Sequence, residues 1–555
     1  MIMSDVLSFD RRALSLAAVL AGATGVAAPG WADGAGSGAV AKSPLEQHYR
    51  HQFNFPTGVV LPKGALDTWI GALHTIPGTN TNSTGTGNQF YFGGFQYGIA
   101  DRFQAGLSYS LFQDPPPKPI NGNIPPIRVE VLALSGAYQF VDTGNWKIAA
   151  EASIEHALFE GLNGNAADEF RGAIGALNVP ISYVPNDQWM FTVTPGVSFL
   201  PDKMGGVPLY GTLGYIGAGV NWKPSLRWSA YGSVTVPVTG NNTIRQSGAM
   251  DREPVWTVGA RYNVSPKTAL DFFATNGMGV TPATRALTFF PDGDTTLIGA
   301  TMTWTPGTGP GYRPNYRGLS GEPLTRRQTD LQLDGFTLSS PDTMTPGTFA
   351  VTGFGGSQGS YGGGFKISPD YDFQVEVAYE KRADDGTTGA KVPSTDAAWL
   401  VGGSARFMDQ NNGSPFSLAV KLLMGRDTSA NLNGTFYAGL PMSYKSSSRL
   451  AFMAEPKVSA WGQNEFFGFG LGVNFEVANG LNAIAEVTPV AGDADETVWA
   501  AGLRYHVPRS PLSLELSASN AIGRYGHGTL IAQDDTKVTL GGTLLFDGRS
   551  MKFWN

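Results

Sequence analysis

Along much of the chain apolar and polar residues alternate one by one. Phe103, Ala105, Leu107, Tyr109 and Leu111 share one parity, and Gln104, Gly106, Ser108 and Ser110 the other. Trp146, Ile148, Ala150, Ala152 and Ile154 likewise oppose Lys147, Glu151, Ser153 and Glu155. Successive side chains of a strand point to opposite faces, so this period predicts strands with one apolar and one polar side. Twelve are predicted, near 68–76, 88–99, 102–112, 127–141, 145–159, 170–184, 188–200, 209–222, 226–238, 254–264, 268–276 and 295–305. Their connections fall into two classes that take turns. Five are short: 100–101, 142–144, 185–187, 223–225 and 265–267. Six are long and rich in Gly, Pro, Asn and Thr: 77–87, 113–126, 160–169, 201–208, 239–253 and 277–294.

The pattern then repeats. Val179-Pro180-Ile181-Ser182-Tyr183 recurs as Leu440-Pro441-Met442-Ser443-Tyr444. Gly217-Ala218-Gly219-Val220-Asn221-Trp222 recurs as Gly470-Leu471-Gly472-Val473-Asn474-Phe475. Val255-Trp256, Gly259, Arg261 and Tyr262 recur as Val498-Trp499, Gly502, Arg504 and Tyr505. Repetition at this scale predicts a second copy of the same unit, with twelve strands between about 347 and 547. Phe373, Val375, Val377 and Tyr379 there oppose Asp372, Gln374 and Glu376.

Composition narrows the setting. Among 555 residues there are 73 Gly and no Cys, and charged residues make up only 15%. Without Cys there is no disulfide framework and no thiolate metal site. The net charge of −7 gives no basic footprint for nucleic acid. Arg11 and Arg12 precede a small apolar run, Ala13 to Ala28, and a small-residue site at Ala32, which together predict a cleaved export signal over 1–32. Beyond it no run is both apolar enough and long enough for a spanning helix. Short turns alternating with long loops, around strands of alternating polarity, are the pattern of a transmembrane β-barrel, whose apolar face meets lipid. Aromatic residues on that face cluster beside the short turns, as expected at a headgroup level. In the first copy these are Phe103, Trp146, Trp189, Trp222, Trp228, Tyr262 and Trp304. In the second they are Phe373, Phe416, Tyr444, Phe475, Tyr505 and Phe546.

The expected fold is therefore all-β: a transmembrane, up-and-down antiparallel β-barrel, built as a tandem duplication of a twelve-stranded unit. The expected layout is a signal peptide (1–32), an N-terminal periplasmic segment (33–67), a first repeat (68–305), a Pro/Gly-rich linker (306–346), a second repeat (347–547) and a C-terminal tail (548–555). Two separate barrels are favoured over one of twenty-four strands, because a single barrel needs only a short turn at the junction.

Strand rhythm, rim aromatics and the export signal together resemble the Gram-negative outer-membrane β-barrel superfamily, porin-like in the broad sense, and the duplicated layout resembles barrels of a cyanobacterial type. That resemblance implies outer-membrane lipid, lipopolysaccharide, the barrel-assembly machinery and small hydrophilic solutes as partners, with no cofactor and no catalysis. One departure is the terminus. Such barrels commonly end on an aromatic, whereas here Phe546 is followed by Asp547 and further residues to Asn555.

Within the polar face, Arg261 and Asp271 flank the turn 265–267 and stand opposite each other across a hairpin, as do Arg504 and Glu515 in the second copy. Facing opposite charges on a sheet contribute about 0.2–1 kcal/mol. They are candidate pore-lining charges or structural ion pairs. Further pore-lining candidates are Lys147, Glu151 and Glu155, and the acidic stripe of Asp372, Glu376 and Glu380. Gly106, Gly259, Gly468, Gly470 and Gly472 on the same face lean toward an open lumen. His48 and His51, at i, i+3, lack a third metal ligand. The acids Asp292, Asp294, Asp493 and Asp495 read as solvated loop residues. The favoured reading is a passive diffusion channel for small hydrophilic solutes. The alternatives are a structural or surface-binding barrel with a plugged lumen, and a soluble periplasmic β-protein.

Overall fold

The computed structural model describes residues 42–48, 50–75, 88–305, 316, 324–382, 397–428, 434–461, 464–493 and 496–547. The proposed signal peptide, part of the linker and the C-terminal tail lie outside these residues. The first repeat runs through Leu66–Thr75, Gln89–Ala100, Phe103–Asp114, Ile127–Asp142, Trp146–Glu160, Glu169–Asn178 with Ile181–Tyr183, Trp189–Phe199, Thr212–Trp222, Trp228–Thr239, Val255–Asn263, Thr268–Thr275 and Leu297–Trp304. Each strand pairs antiparallel with its neighbour. The last returns to the first, from Leu297 opposite Thr75 to Trp304 opposite Thr68, and so closes the barrel. The sixth strand is interrupted where Pro180 lacks an N–H for the ladder.

The second repeat does the same. It comprises Thr348–Gly356, Tyr361–Asp370, Phe373–Lys381, Ala397–Met408, Ser417–Asp427, Gly434–Gly439 with Met442–Lys445, Leu450–Trp461, Asn464–Ala478, Leu481–Gly492, Thr497–His506, Leu512–Ala521 and Ala532–Asp547. It closes from Thr348 opposite Asp547 to Gly356 opposite Thr539, and its sixth strand breaks at Pro441, the counterpart of Pro180. Two independent closures make this a pair of twelve-stranded barrels.

Their polarity is inverted relative to a soluble protein. Leu134, Ile154 and Leu540 point outward with 56%, 65% and 65% of their surface exposed, whereas Thr192, Ser198, Arg504 and Glu515 point inward and are buried. A water-soluble surface rarely presents so continuous an apolar face. A closed barrel with an apolar exterior and polar interior is the architecture that satisfies every strand hydrogen bond inside a bilayer.

The barrels stand side by side and share part of their outer walls. Tyr262 stacks on Phe407 at 5.0 Å, and Tyr91 meets Trp399 at 5.7 Å. At the long-loop rim Arg426 donates to Asp114 at 2.6 Å. At the short-turn rim Ser265 and Thr268 both donate to Asp370. Tyr262 and Phe373, expected among the lipid-facing rim aromatics, are buried in this seam. Phe103, Trp146, Trp222, Tyr444, Phe475 and Tyr505 stay exposed on the outer face, while Trp189, Trp228 and Trp304 are half-buried.

Candidate functional site

Neither lumen is empty. The segment expected in the periplasm, up to residue 67, instead enters the first barrel from its short-turn rim. Ser43 donates to the carbonyl of Pro266, and Asn263 donates to that of Leu45. The chain rises past Arg50, which pairs with Asp67 on the wall at 2.5 Å. It pairs His51–Gln52 with Phe55–Pro56 and turns at Phe53-Asn54, where Asn54 adopts φ 51°. Asn tolerates this left-handed backbone better than most residues. Phe53 stacks on Phe273 at 4.2 Å. The chain then descends, with the Gly58 N–H donating to Ser182 at 2.9 Å and Gln139 donating to the Gly58 carbonyl at 2.7 Å.

The end of the linker repeats this move in the second barrel. Thr325 caps a short helix, Arg326–Leu331, in a capping box with Gln328. The helix sits at the short-turn rim, where Arg327 donates to Asn474 and Asn482 at 2.7 Å each. Beyond it the chain forms a turn, with the Gly335 N–H donating to the Leu338 carbonyl, and Gln332 donates to the Thr343 carbonyl across the ascending and descending arms. Glu486 of the wall accepts from Phe336 N–H, Thr337 N–H and the Thr337 hydroxyl at 3.0, 2.6 and 2.7 Å. Glu455 accepts from Ser339 N–H at 2.7 Å. A Cβ on Gly335 would lie 1.7 Å from Glu486, so the approach requires glycine.

The loop between the eleventh and twelfth strands also turns into each lumen from the other end. In the first barrel Arg285 pairs with Glu151 at 2.7 Å, and Ala283 N–H donates to Glu155 at 2.7 Å. In the second Arg524 pairs with Glu515 at 2.7 Å, and its N–H donates to Glu380 at 2.7 Å. The duplicated unit is thus a barrel with a stopper before it and an inward loop near its end.

This corrects the reading of the lumen glycines. A Cβ on Gly470 would meet Leu338 at 2.2 Å, and one on Gly472 would meet it at 2.9 Å. Their counterparts Gly217 and Gly219 face Phe55 of the first stopper in the same way, at 2.6 and 2.7 Å. Gly468 makes room for Leu530 of the inward loop, and Gly106 and Gly259 for the wall residues Gln96 and Tyr231. Small residues there receive a neighbour; they do not leave a channel.

The candidate pore charges are all engaged with wall, stopper or inward-loop groups. Arg261 and Asp271 are direct register partners, joined by three hydrogen bonds of 2.8–3.1 Å. Arg504 and Glu515 are register partners as well, with Arg504 also near Asp330 of the stopper at 3.8 Å. Glu376 holds Lys421 at 2.8 Å beside Asp334 of the stopper. Glu151 and Glu155 hold the inward loop, as described. Lys147 sits at the rim, paired with Asp142. Asp372 lies in a tight turn at φ 61°, bonded to Arg406 at 2.8 Å.

One arrangement escaped the sequence reading. His506 Nδ1 lies 2.7 Å from the Ser513 hydroxyl, and its Nε2 lies 2.6 Å from Asp330. Residue types match a hydrolytic triad, but Ser513 is fully buried. The geometry is a latch from wall to stopper. Its legible half was His506 and Ser513 facing across a hairpin; Asp330 arrives from the linker, which no pairing rule reaches. Among the described residues no three His, Asp or Glu gather as metal ligands. The side chain of His51 lies outside the described residues.

Titration should separate the two stoppers. Burial alone would raise the Asp334 carboxyl, but Lys366 and Lys421 outweigh it and hold it below the ordinary carboxylate range. Its contribution is present at neutral pH and is lost only as pH falls through that lowered value. His48 of the first stopper is driven down to about 4 by burial and by Lys223. A depressed histidine stabilises the folded form above its unfolded value near 6.5, and this is lost as pH falls toward 4. As pH falls between those limits, the hydrogen-exchange protection factors of residues 50–60, corrected for slower intrinsic exchange, are expected to drop while those of residues 334–340 hold. An equal drop in both would contradict this assignment.

No protein-family model and no curated protein matches the chain. Solved structures similar to it are outer-membrane barrels. The ferric enterobactin receptor of Pseudomonas aeruginosa is 7% identical, with 88% of this chain and 81% of that one covered and a TM-score of 0.23. The NanC porin is 10% identical over 35% of this chain and 98% of that one, with a TM-score of 0.26. LpxR from Salmonella typhimurium is 12% identical over 43% and 99%, with a TM-score of 0.28. Identity and TM-score are low in all three, so the barrels are assigned from their own closed ladders and outward apolar faces.

Proposed function

We propose that this chain is an outer-membrane channel protein whose two pores are shut at rest by stoppers encoded in the chain itself. Small hydrophilic solutes or ions pass when a stopper leaves its seat. The carrying observation is how the seats are built: wall charges meet stopper backbone and stopper charges, as Glu486 meets Phe336 and Thr337. A lumen that had only to be filled is closed at lower desolvation cost by apolar side chains. With the stopper gone, these walls present charge to water, as a conducting lumen must.

The test is single-channel recording of the full refolded chain in a planar bilayer, beside a Glu455→Ala/Glu486→Ala variant. The substitutions strand four stopper donors, each costing about 1–3 kcal/mol when buried without a partner. The native chain is expected to be mostly silent, and the variant to open in steps of one size. Silence from a variant that still shows heat-modifiable migration would instead favour a structural barrel, the reading that the tight, buried fit of both stoppers supports.

The first barrel, once open, is expected to prefer cations. Its inward strand charges include Asp67, Asp142, Glu151, Glu155 and Asp271 against Lys147 and Arg261. Reversal potentials in a salt gradient should show cation preference for openings caused by Gln139→Leu/Ser182→Ala, which strand the Gly58 carbonyl and N–H of the stopper, combined with Arg285→Ala in the inward loop, and a weaker preference when Glu155→Gln is added. An anion-selective opening would contradict the assignment.

A further inference from the structure

Above the first stopper the packing leaves a cavity of about 90 Å³, several times the roughly 10–15 Å³ that one water requires. It is bounded by the stopper turn, the wall and the inward loop together. Among the described residues, Gln52 Oε1, Asn54 Nδ2 and Arg285 Nε of its lining are buried with no hydrogen-bond partner. Gln52 and Arg285 are only 2% and 8% exposed. Buried polar atoms without partners are costly, and each marks a place where a ligand or an ordered water completes the bonding. The set offers one acceptor and two donors.

The charges around the cavity are already matched. Arg50 pairs with Asp67, Arg261 with Asp271 and Arg285 with Glu151, so no full charge is left for an ionic ligand. Phe53, Phe92 and Trp69 supply apolar ring faces between the polar groups. Apolar walls with a few placed donors and acceptors are the make-up of a small-molecule site. Free donors and acceptors, balanced charge and ring faces against which C–H groups can lie describe a ligand rich in hydroxyls and without charge.

We propose that this cavity binds a small uncharged polyol, of monosaccharide size or less. The site is complete with the stopper seated, so it goes beyond the channel reading and stands whether or not the stopper moves. With Phe55 and Leu338 in equivalent glycine sockets, Gln52 and Asn54 correspond to Gly335 and Thr337, so the second stopper lacks this pair of amide side chains.

The test is isothermal titration of the detergent-folded full chain with glycerol, myo-inositol and D-glucose, beside glucuronate and glucosamine as charged counterparts. Saturable binding of at least one neutral compound is expected, with the charged ones weaker. Gln52→Leu and Asn54→Gly, the latter keeping the left-handed backbone, should each weaken binding roughly threefold to tenfold, as loss of one or two hydrogen bonds does. Heat-modifiable migration of both variants establishes that the barrels remain folded. No saturation with any neutral compound would mean that water alone fills the cavity, and would overturn the proposal. So would unchanged affinity in both variants, or tighter binding of either charged compound.

Discussion

Arg261→Ala is expected to destabilise the first barrel by about 3–5 kcal/mol, the cost of leaving one member of a buried ion pair without its partner. Asp271 receives three hydrogen bonds from Arg261, through Nε and a terminal nitrogen. Both side chains are nearly buried, at 9% and 6% exposure. The figure exceeds the 0.2–1 kcal/mol of an ordinary cross-strand pair because the surroundings are the plugged lumen and not water. The matching change in the second copy, Arg504→Ala, should cost less at this pair. There Glu515 keeps a second cation, Arg524 at 2.7 Å. Urea unfolding from lipid vesicles measures both. The decisive control is the double change Arg261→Met/Asp271→Leu, which removes both charges and is expected to recover most of the loss. If Arg261→Ala unfolds at the native midpoint, Asp271 is hydrated in the folded protein and the lumen is wetter than its packing shows.

That contrast marks how far the sequence carries. Period-two alternation located the twelve strands of the first repeat, and the internal repetition gave the number and span of the second twelve, because an up-and-down barrel pairs each strand with its neighbour and leaves little topology to infer. The hairpin geometry also put Arg261 opposite Asp271 and Arg504 opposite Glu515. What alternation does not encode is what fills the lumen. The first stopper and the linker end have no period, since each is an irregular hairpin whose backbone bonds go to wall side chains such as Ser182, Glu455 and Glu486. A trace was present even so. The paired glycines at 217, 219, 470 and 472 recur at matched positions, and each pair receives one large stopper side chain, Phe55 or Leu338. Gly470 and Gly472 by themselves suggest space; set beside Gly217 and Gly219 and the apolar residues stranded in the flanking polar segments, they suggest sockets. The seam between barrels was hidden for a related reason. Tyr262 and Phe373 look like any outward rim aromatic until a second barrel is set against them.

The seam carries the other large expected effect. Asp114→Ala should cost about 3–5 kcal/mol and, more tellingly, should uncouple the barrels. Asp114 ends its strand at the long-loop rim and accepts from Arg426 of the second barrel at 2.6 Å and from Gln89 N–H at 2.8 Å. Its side chain is 5% exposed and that of Arg426 11%. Arg426 lies on the outward face of its own barrel, a position that would otherwise place a guanidinium against lipid near the headgroups. Removing the carboxylate leaves Arg426 without its counter-charge, held across the seam by weaker bonds such as that to the Gln113 carbonyl at 3.3 Å, and loosens the contact of Tyr91 with Trp399 beside it. Wild-type unfolding should be a single cooperative transition, because neither barrel can open without exposing the shared seam. Asp114→Ala should split it into two, each following one barrel, as happens when the coupling between units falls below what two-state behaviour requires. Exchanging the charges, Asp114→Arg with Arg426→Asp, should restore one transition if the pair itself is the tie. Two transitions in the wild type, or one in Asp114→Ala at an unshifted midpoint, would show that the aromatic contacts at the opposite rim hold the barrels together without it.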